Sequence, residues 1–126
     1  MKIAIVTPEA APFAKTGGLA DVTGALPKAL FRLGHEPILI MPLYRIVRET
    51  APPNIEVARF TVPLGRRHAD VVLWQGQIPG SGAPAYFIEQ NDYYDRPGIY
   101  GNGYFGYPDN CERFTLLSRA AIEAVR

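Results

Sequence analysis

Apolar residues fall into two kinds of run along this chain, continuous and periodic, and their succession predicts an α/β fold. Lys2-Ile3-Ala4-Ile5-Val6-Thr7 is short and continuously apolar, the pattern of a strand buried on both faces of a sheet. Pro8 and Pro12 stop it and leave a loop over 8–18. Leu19, Val22, Thr23, Leu26, Ala29, Leu30 and Leu33 then recur at intervals of three and four, the stripe of a helix. Gly34 stands where a helix C′ residue belongs. Pro27 interrupts that stripe, so the helix either kinks there or begins near Leu26 with Pro27 at N1; the stripe's continuity across Pro27 favours the kink. Pro37-Ile38-Leu39-Ile40-Met41 is a second buried strand, closed by Pro42. Strand, helix and strand at this spacing form a βαβ unit with parallel strands, which puts the loop over 8–18 at the carboxyl end of the first strand, where open α/β sheets bind ligands.

Farther along, Ile55-Glu56-Val57-Ala58-Arg59-Phe60 alternates with period two, as a half-buried strand does. A turn around Gly65-Arg66-Arg67 leads into Asp70-Val71-Val72-Leu73-Trp74, which predicts a hairpin. Ala85-Tyr86-Phe87-Ile88 is another short strand, and 89–108 has no regular pattern. Asp109, three residues before Glu112, reads as an N-cap. It opens a last helix with the stripe Phe114, Leu117, Ala121 and Val125. That helix has no stop signal before Arg126, so the chain is expected to be cut from a longer one. The predicted architecture is a Rossmann-like parallel sheet core with an added β-hairpin.

Composition narrows the function classes. Thirteen Lys and Arg against twelve Asp and Glu leave a net charge of +1, without the basic excess of a nucleic-acid binder. One cysteine, Cys111, excludes an internal disulfide framework and a multi-cysteine zinc site and points to a cytoplasmic setting; it reads as a small packing residue. No apolar run approaches the ~20 residues of a membrane span, and the N-terminus lacks the pattern of a signal peptide. Gly and Pro number twelve each, about a fifth of the chain against an average of about 12%. They are scattered between apolar runs, as turn residues are.

Two segments carry candidate chemistry. Lys15-Thr16-Gly17-Gly18 precedes a helix, where glycines admit a ligand close to backbone N–H groups and the helix N-terminus favours anions. Lys15 adds a mobile charge suited to phosphate. The same residues can equally make a tight turn beside a solvated lysine. No G-x-G-x-x-G follows the first strand, and Lys15 precedes the glycines rather than following them, which disfavours a dinucleotide oxidoreductase and a phosphate-loop NTPase. Asp92, Asp95 and Asp109 form no D-x-D pair, and His35 and His68 stand alone, so no protein-built metal site is expected. The second segment holds Tyr93, Tyr94, Tyr100, Tyr104, Phe105 and Tyr107 within fifteen residues. Such rings either stack on sugars or bases or pin a long loop to the domain, and packing is the commoner use.

Lys15-Thr16-Gly17-Gly18-Leu19-Ala20-Asp21-Val22, close behind Thr7-Pro8-Glu9, resembles the N-terminal signature of bacterial glycogen synthases and plant starch synthases. The likeness continues at Gly24-Ala25-Leu26-Pro27, Leu33-Gly34-His35 and Met41-Pro42-Leu43-Tyr44. It returns at Tyr94-Asp95-Arg96-Pro97-Gly98-Ile99-Tyr100-Gly101 and Asp109-Asn110-Cys111-Glu112-Arg113-Phe114. The resemblance implies a retaining glucosyltransferase of the two-Rossmann-domain type, which moves glucose from ADP-glucose, or UDP-glucose in some relatives, to the end of an α-1,4-glucan without a metal or other cofactor. By position, Lys15 would contact the donor's phosphates, and Gly17 and Gly18 would admit the transferred sugar and departing phosphate. Asp21 would order the loop, and Tyr100 would help form the substrate pocket. The family continues with a histidine-bearing segment and a second Rossmann domain. Residues 1–126 are therefore expected to be a partial acceptor-side domain with no catalytic residue of its own, dependent on a missing C-terminal remainder. A stand-alone glucan- or sugar-nucleotide-binding module is the alternative. An incomplete sheet is expected to leave an edge or apolar face that promotes association.

Overall fold

A computed structural model describes all residues, 1–126. In chain order they form β1 (Lys2–Val6), α1 (Gly18–Arg32), β2 (Glu36–Pro42), α2 (Arg45–Thr50), β3 (Ile55–Leu64), β4 (Arg67–Gln77), β5 (Pro84–Glu89), α3 (Asn91–Tyr94) and α4 (Asn110–Ala124). One five-stranded sheet has the order β1-β2-β5-β4-β3. β1, β2 and β5 run parallel, whereas β4 and β3 are antiparallel additions. The expected parallel core and hairpin are thus parts of a single mixed sheet. Gly65, at φ +61°, makes the tight turn between Leu64 and Arg67, a conformation glycine adopts without a steric penalty. Because β1, β2 and β5 are parallel, the loop over 8–18, the Leu43–Tyr44 step and the segment after Glu89 all leave the same end of the sheet.

α1 runs unbroken through Pro27, which rules out a helix beginning there. Its C-terminus closes as expected. Gly34, at φ +88°, donates its N–H to the Phe31 carbonyl, and His35 donates to that of Leu30, the two bonds of a Schellman motif.

Three expectations need correction. The inward face of α1 is built of Ala20, Thr23, Gly24 and Pro27, while Leu19, Val22 and Leu26 of the large apolar stripe remain exposed. The cause is a close approach of the preceding loop: a Cβ on Gly24 would lie 2.4 Å from the Ala11 carbonyl oxygen, so only small residues fit that face. β1 is an edge strand paired with β2 alone, and its residues are half-buried or exposed rather than buried on both faces. In α4 the buried positions are Arg113, Leu116, Leu117, Ala120 and Ala121, a stripe rotated from the expected one, and Val125 is exposed. The core lies between the sheet and these elements, with Leu39, Ile40, Met41, Phe87, Ile88 and Leu116 at its centre.

Candidate functional site

The loop after β1 is held by its own polar groups. Thr7 donates its hydroxyl to the Glu9 carbonyl at 2.7 Å, and the Thr23 hydroxyl of α1 reaches the same carbonyl at 2.6 Å. The Glu9 carboxylate, only 4% exposed, accepts the Thr16 backbone N–H at 2.6 Å and the Thr16 hydroxyl at 2.8 Å. That pair of bonds fixes the residue immediately before the two glycines. Tyr44 donates to the Pro8 carbonyl at 2.6 Å, tying the end of β2 to the same loop.

Past Thr16 the constraint ends. Nothing in the chain lies within 4 Å of where a Cβ on Gly17 or Gly18 would be, and Gly17 is in extended backbone that any residue adopts. Neither glycine is required by a turn or by crowding from this chain. The first N–H groups of α1, like those of any helix, lack intrahelical partners, and Gly17 supplies no side-chain cap for them. Lys15 stands beside this opening, about half exposed, with its ammonium 2.7 Å from Asp21. The result is a positive helix end with free space above it and a cation at its rim, an arrangement suited to an anion.

The Tyr-rich segment is organised around Arg113, which is fully buried. Its guanidinium donates to the Tyr93 carbonyl, the Ile99 carbonyl and Asn110 Oδ1 at 2.7–2.8 Å, and it stacks over the Tyr107 and Phe114 rings. Burial lowers its pKa from the ordinary arginine value. The Tyr94 hydroxyl returns a bond to the Arg113 carbonyl at 2.6 Å, and Asn110 donates to the Tyr100 carbonyl at 2.9 Å. Arg96 clamps Asp109 through two 2.7 Å bonds. Asp109 is the N-cap residue of α4, as expected, but its carboxylate serves the loop and makes no side-chain cap bond to the helix. Tyr100, pinned through its own and the Ile99 carbonyls, has its pKa pushed up to about 12 by burial and by the nearby Glu9 carboxylate. It stays a neutral hydroxyl at physiological pH.

A cleft of about 570 Å³ opens between Thr16 and residues 97–106, with Tyr100 in its wall. It joins Tyr100 to the glycine loop through Thr16; Lys15, Gly17, Gly18 and Asp21 lie outside its lining. No three His, Cys, Asp or Glu side chains converge in a metal-binding arrangement. Cys111 is exposed, not packed as expected.

Residues 2–126 match the family model described as the starch synthase catalytic domain. The chain belongs to that family. It is 47% identical over 99% of its length to the glycogen synthase of Syntrophotalea carbinolica, of which it covers 26%. It is 45% identical over 98% of its length to glycogen synthase 1 of Geobacter metallireducens, of which it covers 25%. Its structure is similar, with a TM-score of 0.68 and 30% identity, to the catalytic domain of starch synthase IV from Arabidopsis thaliana bound to ADP and acarbose, covering 98% of this chain and 24% of that one. The chain thus spans about a quarter of the length of these relatives.

Within this starch synthase domain, Glu9 and Arg113 are the residues that sequence reasoning missed. Both sit inside the blocks that carry the resemblance, but their roles depend on partners remote in sequence. A carboxylate after Thr-Pro offers no local sign that it will hold Thr16, and a helical arginine is ordinarily taken as exposed.

Proposed function

We propose that this chain forms the donor- and acceptor-facing front of a retaining glucosyltransferase that extends an α-1,4-glucan from ADP-glucose. The observation that carries the reading is the unfilled space above Gly17 and Gly18, at an uncapped helix N-terminus with Lys15 beside it. Two glycines that neither a turn nor a neighbour requires are accounted for if a ligand comes against their backbone. As the glycosidic bond to the departing nucleoside diphosphate breaks, negative charge builds on its phosphate. Lys15 and the free N–H groups of α1 stabilise that charge. Asp21 holds Lys15 in place before the donor arrives, and Glu9 fixes the loop through Thr16. Tyr100, kept protonated, offers a hydroxyl to the sugar side of the pocket. The donor is a substrate, and no further cofactor is called for.

The chain's share of its relatives' length, about a quarter, supports a partial acceptor-side domain. The remaining contacts to nucleotide and glucan would come from a C-terminal remainder with a second Rossmann domain. No helix is long and apolar enough to cross a membrane, in keeping with work in the cytoplasm on a dissolved glucan.

The test is transfer of labelled glucose from ADP-glucose, and separately from UDP-glucose, to a maltooligosaccharide by the complete gene product that carries these residues. Elongation with α-1,4 linkage supports the reading. Binding of the oligosaccharide without elongation would convert it into that of a non-catalytic glucan-binding module.

A further inference from the structure

Most aromatics of the Tyr-rich segment are drawn into the Arg113 hub, but Tyr104 and Phe105 are 93% and 77% exposed. They are not on a loose loop. The Asn102 side-chain oxygen accepts the backbone N–H of both Tyr104 and Phe105, and Asn102 donates its own N–H to the Phe105 carbonyl. Gly101 and Gly106 bridge at the base of the turn, and Gly103 takes φ +105° within it. Packing restricts it further. A Cβ on Gly101 would lie 2.0 Å from the Phe105 carbonyl oxygen, and one on Gly98 would lie 1.9 Å from that of Gly101. The Tyr107 hydroxyl accepts the Gly98 N–H and anchors the base to the hub. A turn this constrained, with two aromatic side chains at its tip, leaves large apolar faces in water. Both residues also line the cleft that contains Thr16 and Tyr100.

We infer that Tyr104 and Phe105 form a pre-ordered stacking platform for glucose rings of the acceptor glucan, extending the binding surface outward from Tyr100. The inference rests on the glucan-extending reading given above. Pyranose rings present apolar C–H faces that pack on aromatic faces, while their hydroxyls stay in water. A turn already fixed before binding loses little entropy when the chain docks. The cleft volume lies within the range of small-molecule sites, and its composition of glycines, Asn102 and aromatics suits a neutral polyhydroxylated ligand better than a charged one.

The experiment uses the complete gene product in three forms: wild type, Tyr104→Ala/Phe105→Ala, and Tyr104→Phe/Phe105→Tyr, which keeps both rings. Maltoheptaose binding is measured by calorimetry, alongside KM for acceptor and for ADP-glucose. The platform predicts that the double alanine variant binds maltoheptaose about tenfold more weakly, with acceptor KM raised in step. The ADP-glucose KM and unfolding temperature should hold, and the ring-preserving variant should recover the acceptor affinity. Unchanged maltoheptaose affinity in the alanine variant overturns the inference. A lowered unfolding temperature with donor and acceptor affected alike also overturns it, since the pair would then pack against the rest of the chain. Because binding is measured apart from transfer, an inactive wild type would count against the glucosyltransferase reading alone.

Discussion

Burying the Arg113 guanidinium takes a full charge out of water, and three neutral oxygens and two aromatic rings replace that water. The arrangement stands because those oxygens come from α3, the following loop and the start of α4, so the one cation ties the three together. Arg113→Met, which keeps bulk but removes the donors, should lower stability by about 3 kcal/mol or more, since each orphaned buried acceptor costs roughly 1–3 kcal/mol; denaturant unfolding reads this directly. Tyr100 gives a second expectation. Its hydroxyl pKa is raised to about 12 from the ordinary 10.0, first by burial and then by Glu9. The fold therefore keeps Tyr100's contribution below pH 10 and loses it as pH rises toward about 12. Tyr100→Phe should reduce that alkaline loss and remove one late phase from the phenolate absorbance titration. At this scale Lys15, Gly17, Gly18 and Asp21 stood out through a local pattern, whereas Glu9 and Arg113 did not. The Glu9 carboxylate holds Thr16 seven residues on, and Arg113 reaches the carbonyls of Ile99 and Tyr93, fourteen and twenty residues back.

Elements formed where short-range chemistry is decisive. Continuous apolar runs became β2 and β5, the alternating run became β3, and Gly34 closed α1 with the bonds its position predicts. What periodicity could not supply was which side of a helix faces inward. Gly24 shows why: the Ala11 carbonyl comes so close that small residues win over the larger apolar ones beside them. Gly24→Ala should force the loop over 8–18 away from α1 and cost about 1–3 kcal/mol, with the loop's amide signals shifting most. Asp109 takes the N-cap position of α4 that its spacing predicted, but its carboxylate is held by Arg96 rather than by the helix N–H groups. That hydrogen-bonded pair holds its pKa below the ordinary carboxylate value. Its stabilisation is present above about pH 4 and is lost as pH falls through the lowered folded-state value. Asp109→Asn should be less stable at neutral pH and show a flatter loss on acidification, as an acid series of thermal melts would reveal.

For the whole molecule, the order of strands and helices was enough to predict a parallel core with a hairpin, because a βαβ crossover admits one strand direction. The burial of β1 was not legible, since it depends on what lies against its free edge. That edge, together with Val22, which is 59% exposed, and Leu19, Leu26 and Phe31 on α1, leaves apolar surface and unpaired backbone groups available to another chain. Residues 1–126 alone should therefore self-associate with concentration in sedimentation, and Val22→Lys should weaken the association. The elements of the candidate site converge because β1, β2 and β5 run parallel and end together. The central claim is that the opening beside Lys15 handles the donor's phosphate. The most direct test compares wild-type and Lys15→Ala forms of the complete gene product in glucose transfer from ADP-glucose to a maltooligosaccharide, with unfolding temperature measured on both. The account predicts active wild type and a variant whose kcat/KM for ADP-glucose falls about a hundredfold with its unfolding temperature unchanged, because the half-exposed Lys15–Asp21 pair adds little stability. Wild-type donor kinetics in the variant would contradict it.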